Sequence, residues 1–203
     1  MIRHLHRSAG LTPLLILLAG CASPGPANTI QANTSPGNAT SRTGMTATER
    51  LANDLVEAEL AFSRGDEETL SRRLNSIELA GAVPSDESGV QALTAWRDRA
   101  LLDAQPLRGR VLGPGYTSGL IPSGASVAIE QILLGGEVVT IAAGTAPRAG
   151  LRLRITRADG KTVCEQSPAH AHECRFVPTY TQRYRIVLDN SGKQDARYHL
   201  VFN

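Results

Sequence analysis

The chain has 203 residues, with 21 Lys and Arg against 19 Asp and Glu, for a net charge of +2. That balance supplies no concentrated basic face, so nucleic acid is not an expected partner. Aromatic residues make up 4% of the chain, too few for broad stacking platforms for bases or sugars, and the three cysteines are an odd number: one with a separate task and one pair.

The amino terminus opens with Arg3 and Arg7, followed by an apolar segment over residues 11–18 interrupted by Thr12 and Pro13. The segment is far short of the roughly 20 residues that span a bilayer. A basic start, a short apolar core and small residues ahead of a cleavage point describe an export signal. The run closes on Leu18-Ala19-Gly20-Cys21, which resembles the lipobox of bacterial lipoproteins. The resemblance implies cleavage before Cys21, diacylation of its sulfur and anchorage in a membrane. Multiple acyl chains make such anchorage stable where one would be marginal. Ala22 stands where Asp tends to retain Gram-negative lipoproteins in the inner membrane, so the outer membrane is the implied destination. The alternative is an ordinary signal peptide with an incidental cysteine.

Residues 22–45 are mostly Pro, Gly, Ala, Asn, Thr and Ser, with Ile30 and Met45 the large apolar residues. Such a composition cannot bury enough surface to offset its ordering entropy, so a disordered tether is expected. A flexible coil of roughly 24 residues spans about 25–30 Å root-mean-square.

Thr46-Ala47-Thr48-Glu49 has the spacing of a capping box. Leu51, Leu55, Ala58 and Phe62 then recur at helical spacing, and Gly65 is placed to end the helix. Asp66 is a cap for a second helix with Leu70, Leu74 and Ile77 on one face and Gly81 at its end. Pro84-Ser85-Asp86 opens a third, with Val90, Leu93, Trp96 and Ala100 as its apolar positions, stopping before Pro106. Short helices with brief turns should pack antiparallel. Trp96, the single tryptophan, is read as a core or interdomain residue.

After Pro106 the period changes from helical to alternating. Gly113-Pro114-Gly115-Tyr116 reads as a turn entering the new module. Runs at 127–134 and 137–143 flank Gly135-Gly136. Leu151-Arg152-Leu153-Arg154-Ile155 alternates strictly, one face aliphatic and one wet. Asp159-Gly160 signals a hairpin into 161–166. A strand at 173–177 follows, then one carrying Tyr184, Ile186 and Leu188, then one carrying Tyr198, Leu200 and Phe202. Seven or eight short strands with regular turns point to an antiparallel sandwich, and the fold class to α+β. His199 is expected at a surface or an edge.

Glu130-Gln131, Gly135-Gly136-Glu137, the strand at 151–155, Asp159-Gly160 and the ending Tyr184-Arg185-Ile186-Val187-Leu188-Asp189-Asn190 with Tyr198-His199-Leu200 resemble bacterial pre-peptidase C-terminal domains. The match covers about residues 107–203 and implies a jelly-roll-like β-sandwich accessory module without catalytic residues. Some members carry acidic calcium ligands ahead of the strand matching 151–155. Here Thr145-Ala146-Pro147-Arg148-Ala149-Gly150 stands in that place, and without carboxylates no calcium site is carried over.

Cys164 and Cys174 flank a loop containing His170 and His172. In an oxidising compartment a disulfide is expected. The alternative is a metal site of Cys164, His170, His172 and Cys174, although thiolates compete poorly with oxidation outside the cytoplasm. No Gly-x-Ser-x-Gly elbow is present. Glu130 and Glu137 flank a turn and could form a carboxylate pair, but turn-flanking glutamates are usually solvated. Arg152 and Arg154 read as a solvated face.

The expected organisation is thus a signal peptide (1–20), a lipidated disordered tether (21–45), a helical segment of about three helices (46–105) and a β-sandwich (106–203). The expected role is a lipid-anchored envelope lipoprotein acting as a non-catalytic interaction or accessory module in the periplasm. Its partners are the membrane through Cys21 and an envelope protein, and no cofactor is expected. An envelope glycan-binding module and a periplasmic hydrolase are the alternatives.

Overall fold

The computed structural model describes residues 44–100, 113–148, 150–170 and 172–203. Thr46 caps helix α1 (Ala47–Arg64): its hydroxyl accepts from the Glu49 N–H at 3.2 Å, and its own N–H donates to Glu49 Oε2 at 2.8 Å. Two orphan donors of the first turn are thereby satisfied. The helix ends at Gly65, whose φ of +70° is readily adopted without a Cβ. Asp66 Oδ1 accepts from the Thr69 N–H at 3.0 Å and starts α2 (Glu67–Leu79). A two-residue strand, β1 (Val83–Pro84), precedes α3 (Glu87–Ala100). Asp86 opens α3 by accepting from the Gly89 N–H at 2.9 Å.

The strands follow as β2 (Gly115–Ile121), β3 (Ser126–Leu133), β4 (Val139–Ala146) and β5 (Leu151–Arg157), then β6 (Thr162–Gln166), β7 (His172–Phe176), β8 (Gln182–Asn190) and β9 (Ala196–Phe202). They form two sheets, one ordered β1-β2-β9-β4-β7 and the other β3-β8-β5-β6. All pairings but the parallel β1–β2 pair are antiparallel. Leu153, Ile155, Ile186, Leu188, Ile141 and Leu200 meet between the sheets in a buried core.

The helices cover the other face of the five-stranded sheet. Every residue of β4 is buried. Its Val139, Ile141 and Ala143 enter the sandwich core, whereas Ala142 belongs to a second cluster with Leu51, Leu55, Leu74, Trp96, Tyr116 and Val201. Small residues make this approach possible: a Cβ on Gly144 would lie 2.6 Å from Val56 Cγ2. The result is three layers, helices on sheet on sheet, with an apolar interior in each gap.

Two expectations are corrected. The stretch beginning Gly115-Tyr116, expected as a turn, is strand β2, paired along its length with β9. It lacks an aliphatic alternation because its neighbours supply the bulk: a Cβ on Gly119 would sit 2.6 Å from the Tyr198 ring. His199, expected at a surface or edge, is 1% exposed on the interior strand β9. The strand face that alternation marks as wet is roofed by helices.

Candidate functional site

The polar residues that the fold concentrates lie under this roof. Ser118 on β2 pairs in register with His199 on β9, and the Ser118 hydroxyl lies 2.8 Å from His199 Nδ1. On the other side of the imidazole, Nε2 is 3.9 Å from Glu59 Oε2 on α1. Arg197, two residues along β9, brings Nε to 3.4 Å from Glu59 Oε1. The Trp96 ring from α3 lies 5.8 Å from the imidazole, centroid to centroid. Three elements of the helical layer and the sheet therefore converge on one buried histidine.

Burial dominates the electrostatics. It pushes the His199 imidazole down to about 3, with the Arg197 charge acting in the same direction, so the ring is neutral. Burial also raises the Glu59 carboxyl, against the attraction of Arg197. A hydroxyl, an imidazole and a carboxylate are the parts of an activated nucleophile, but the hydrogen bond formed is the one between Ser118 and the ring: His199 Nε2 has no hydrogen-bond partner among the described residues, Glu59 lying beyond that range. Here Ser118 is 3% and His199 1% exposed, so no substrate reaches the hydroxyl in this arrangement. The Ser118 N–H, the nearest oxyanion donor, already donates to Asp86 Oδ2 at 3.1 Å. What the array does in this state is join α1, α3, β2 and β9.

Further polar contacts hold α1 along its length. The Thr46 hydroxyl donates to Glu173 Oε2 on β7 at 2.7 Å, and the Thr48 and Thr140 hydroxyls are 3.1 Å apart. Beyond β4, Arg148 donates to Asn53 Oδ1 at 3.0 Å and pairs with Glu57. Asp54, nearly buried, accepts from Arg73 at 3.0 Å and Ser76 at 2.6 Å and so ties α1 to α2.

Cys164 and Cys174 form a disulfide with Cα atoms 5.8 Å apart. They lie on β6 and β7, edge strands of opposite sheets, so the bridge staples one open side of the sandwich. With both sulfurs joined, the alternative metal set of Cys164, His170, His172 and Cys174 lacks two of its donors. The histidines also part: His172 is exposed, whereas both ring nitrogens of His170 are buried without hydrogen-bond partners. Burial first, and then Arg148, push the His170 imidazole down to about 4. Arg152 and Arg154 both reach Glu165 across the hairpin, at 3.7 and 3.2 Å. Glu130 is held by Arg183 at 2.8 Å, while Glu137 is exposed in the β3–β4 turn. Cys21 lies outside the described residues.

Ser118 and Glu59 carry no sequence motif. The available signal was a second stripe on α1: Thr48, Ala52, Val56 and Glu59 at helical spacing beside the Leu51, Leu55 and Ala58 face. A helix with two buried stripes faces two partners, and a carboxylate on one of them needs a polar counterpart.

Fold and site define an α+β protein in which a β-sandwich is roofed on one sheet by three helices, among the described residues. No protein-family model and no curated protein matches the chain. Solved structures similar to part of this chain include the following three. One is PliG of Aeromonas hydrophila, a periplasmic lysozyme inhibitor of g-type lysozyme, at 7% identity over 44% of this chain and 84% of that one, with a TM-score of 0.38. A second is the Yersinia pseudotuberculosis-derived mitogen, at 14% identity over 45% and 85% of the respective chains, with a TM-score of 0.39. The third is the pre-peptidase C-terminal domain of collagenase from Bacillus anthracis, at 12% identity over 43% and 87%, with a TM-score of 0.39. At these identities and scores none of them carries a function to this chain.

Proposed function

We propose that the protein is a lipid-anchored lipoprotein of the cell envelope, held through acylated Cys21 in the outer membrane and facing the periplasm. The observation that carries this reading is the order of Arg3 and Arg7, the short apolar segment and Leu18-Ala19-Gly20-Cys21. The Cys164–Cys174 disulfide supports it, because such bonds persist in oxidising compartments. No helix among the described residues is long and apolar enough to cross a membrane. In this reading residues 1–20 are the signal, 21–45 the tether, 46–105 the helical segment and 106–203 the sandwich. The strand orders β2-β9-β4-β7 and β3-β8-β5-β6 favour a jelly-roll-like arrangement of that sandwich. Its role is a non-catalytic interaction or accessory module with a protein partner in the envelope.

The test is metabolic labelling with palmitate of the chain and of Cys21→Ser. Label on the first and none on the second is expected, and label surviving on Cys21→Ser overturns the anchor.

A hydrolase reading draws on one specific observation, the Ser118 hydroxyl 2.8 Å from His199 Nδ1. It requires α1 to lift so that the hydroxyl is reached. A fluorophosphonate probe distinguishes the two: the native protein is expected to remain unlabelled, and labelling abolished by Ser118→Ala would establish the hydrolase.

A further inference from the structure

Among the described residues, several of the exposed large apolar side chains are gathered at one end, with Leu120 and Val90 elsewhere. Helix α1 runs alongside β4 in the same direction: Thr48 meets Thr140 near the start of the strand, Val56 meets Gly144 in its second half, and Asn53 and Glu57 meet Arg148 just beyond it. The first turn of α1, and Gly44 at which residues 1–43 join the body, therefore lie where β4 begins. That same end carries the β3–β4 turn and the β7–β8 connection, because Val139 pairs with Phe176 and Leu133 with Gln182. These two connections are built as one tip. The Gly135 N–H donates to Thr181 Oγ1 at 3.0 Å and the Gly136 N–H to the Pro178 carbonyl at 2.8 Å. A Cβ on Gly135 would be 2.8 Å from the Tyr180 backbone, so glycine permits the two segments to touch.

The tip presents Leu134 at 52%, Val138 at 50%, Val177 at 54% and Tyr180 at 73% exposure. The antiparallel α2 brings Leu79, 80% exposed, to the same end, where it shares a shallow hollow with Ala47 and Leu51. At the opposite end the β8–β9 connection reads Ser191-Gly192-Lys193-Gln194-Asp195, and Leu120 is the exposed large apolar residue there among the described residues. Exposed apolar clusters of this kind mark contact sites. The occupant is indicated by the point at which the chain leaves the body: the apolar tip and the tether share one end.

We infer that this tip is a bilayer-contact surface, in which Leu134, Val138, Val177 and Tyr180 enter the headgroup and upper acyl region of a phospholipid membrane. The inference rests on the proposed Cys21 anchor for its leash. A tether of roughly 24 residues, as a flexible coil, would span about 25–30 Å root-mean-square, and the resulting local concentration turns a weak apolar contact into a persistent one. Tyrosine suits such a boundary because its ring is apolar and its hydroxyl stays wet. Arg175, exposed on β7, and Lys161, on the hairpin at this end, are placed to meet anionic headgroups, and Glu137 is the acid within the turn.

The experiment uses the full chain purified from membranes and reconstituted in phosphatidylethanolamine–phosphatidylglycerol vesicles with brominated acyl chains. Tyr180→Trp and Leu120→Trp place a fluorophore at opposite ends of the body, with buried Trp96 as a constant background. The added emission of Tyr180→Trp is expected to shift to the blue and to fall by about half as its ring enters the acyl boundary, while that of Leu120→Trp stays unquenched. Adding Val138→Ser and Val177→Ser should restore the emission. Equal quenching at both ends, or none at either, overturns the inference. A blue shift that needs added envelope protein and shows no bromolipid quenching also overturns it, in favour of a protein partner. Palmitate analysis of the same preparation separates the two claims. Acylation without tip quenching leaves the anchor and removes the tip, whereas quenching at saturating vesicles without acylation does the reverse.

Discussion

His199 is predicted to make this protein acid-sensitive well above the range in which its carboxylates titrate. In the unfolded chain the imidazole has its ordinary pKa of about 6.5, whereas in the fold burial holds it at about 3. Its folded pKa is depressed, so between those values the unfolded state binds one proton more, and stability present above about 6.5 falls as pH drops. The slope approaches about 1.4 kcal/mol per pH unit, and from pH 8 to pH 5 the accumulated loss is about 2 kcal/mol. His170 acts in the same direction. Glu59, with its carboxyl raised by burial, gains stability as pH falls through its raised value and so opposes them. A comparison that cancels those groups is therefore needed. Urea unfolding of the wild type and of His199→Asn, followed by far-ultraviolet circular dichroism at pH 8, 7, 6 and 5, provides it. The wild-type midpoint should fall by about 1 M more than that of the variant over this range, for a typical urea dependence of about 2 kcal/mol per M. A stability difference between the two proteins that does not change with pH would refute the assignment of a buried, neutral His199.

The remaining predictions concern the layers. Gly144→Ala should cost about 1–3 kcal/mol by forcing Val56 and α1 outward. Val56→Ala should recover part of that loss, which thermal unfolding of the double variant would show, whereas strictly additive losses would deny the contact. Paired replacement of Cys164 and Cys174 by Ser should cost about 2.7 kcal/mol in the loop-entropy account. The native protein should show no reactive thiol from that pair by alkylation and intact mass. Asp86→Ala removes the α3 cap and the partner of the Ser118 N–H together, so its loss should exceed the roughly 1 kcal/mol of an ordinary cap. A loss no larger than that, measured by denaturant midpoint, would leave the Ser118 contact without weight.

Local chemistry was legible and layer contacts were not. The capping box at Thr46 and Glu49, the glycine stop at Gly65, the Asp66 cap and the opening of α3 at Pro84-Ser85-Asp86 each depend on residues a few positions apart, and all are formed as expected, with Asp86 as the cap of α3. The alternation at Leu151, Leu153 and Ile155 likewise needs only the pleat. β2 escaped because its composition answers to partners distant in sequence: Gly119 makes room for Tyr198, and Ser118 meets His199. The wet face of β9 was misread for the same reason. Alternation states that two faces differ, and it does not state that helices from earlier in the chain will cover the second one. The disulfide was expected from the compartment, with no reading of which sheets it joins. Neighbours in sequence here belong to opposite sheets, and only the topology turns a short loop into a staple across the sandwich.

The polar array under the helices has a role that an apolar seam would fill less well. Ala142, Gly144 and Val201 offer α1 a smooth surface, and dispersion contacts against such a surface change little if the helix slides. A slide by one turn would carry Glu59 away from the half-exposed Arg197 and from His199, and Thr48 away from Thr140, and a polar group moved against apolar surface without its partner costs about 1–3 kcal/mol. Ser118, His199, Glu59 and Arg197 toward the far end, with Thr48 and Thr140 toward the near one, therefore fix the register of α1 on the sheet. Register here also sets direction. It places the first turn of α1 at the end of the sandwich where β4 begins, so the contacts that hold the helix also determine at which end the chain enters the body.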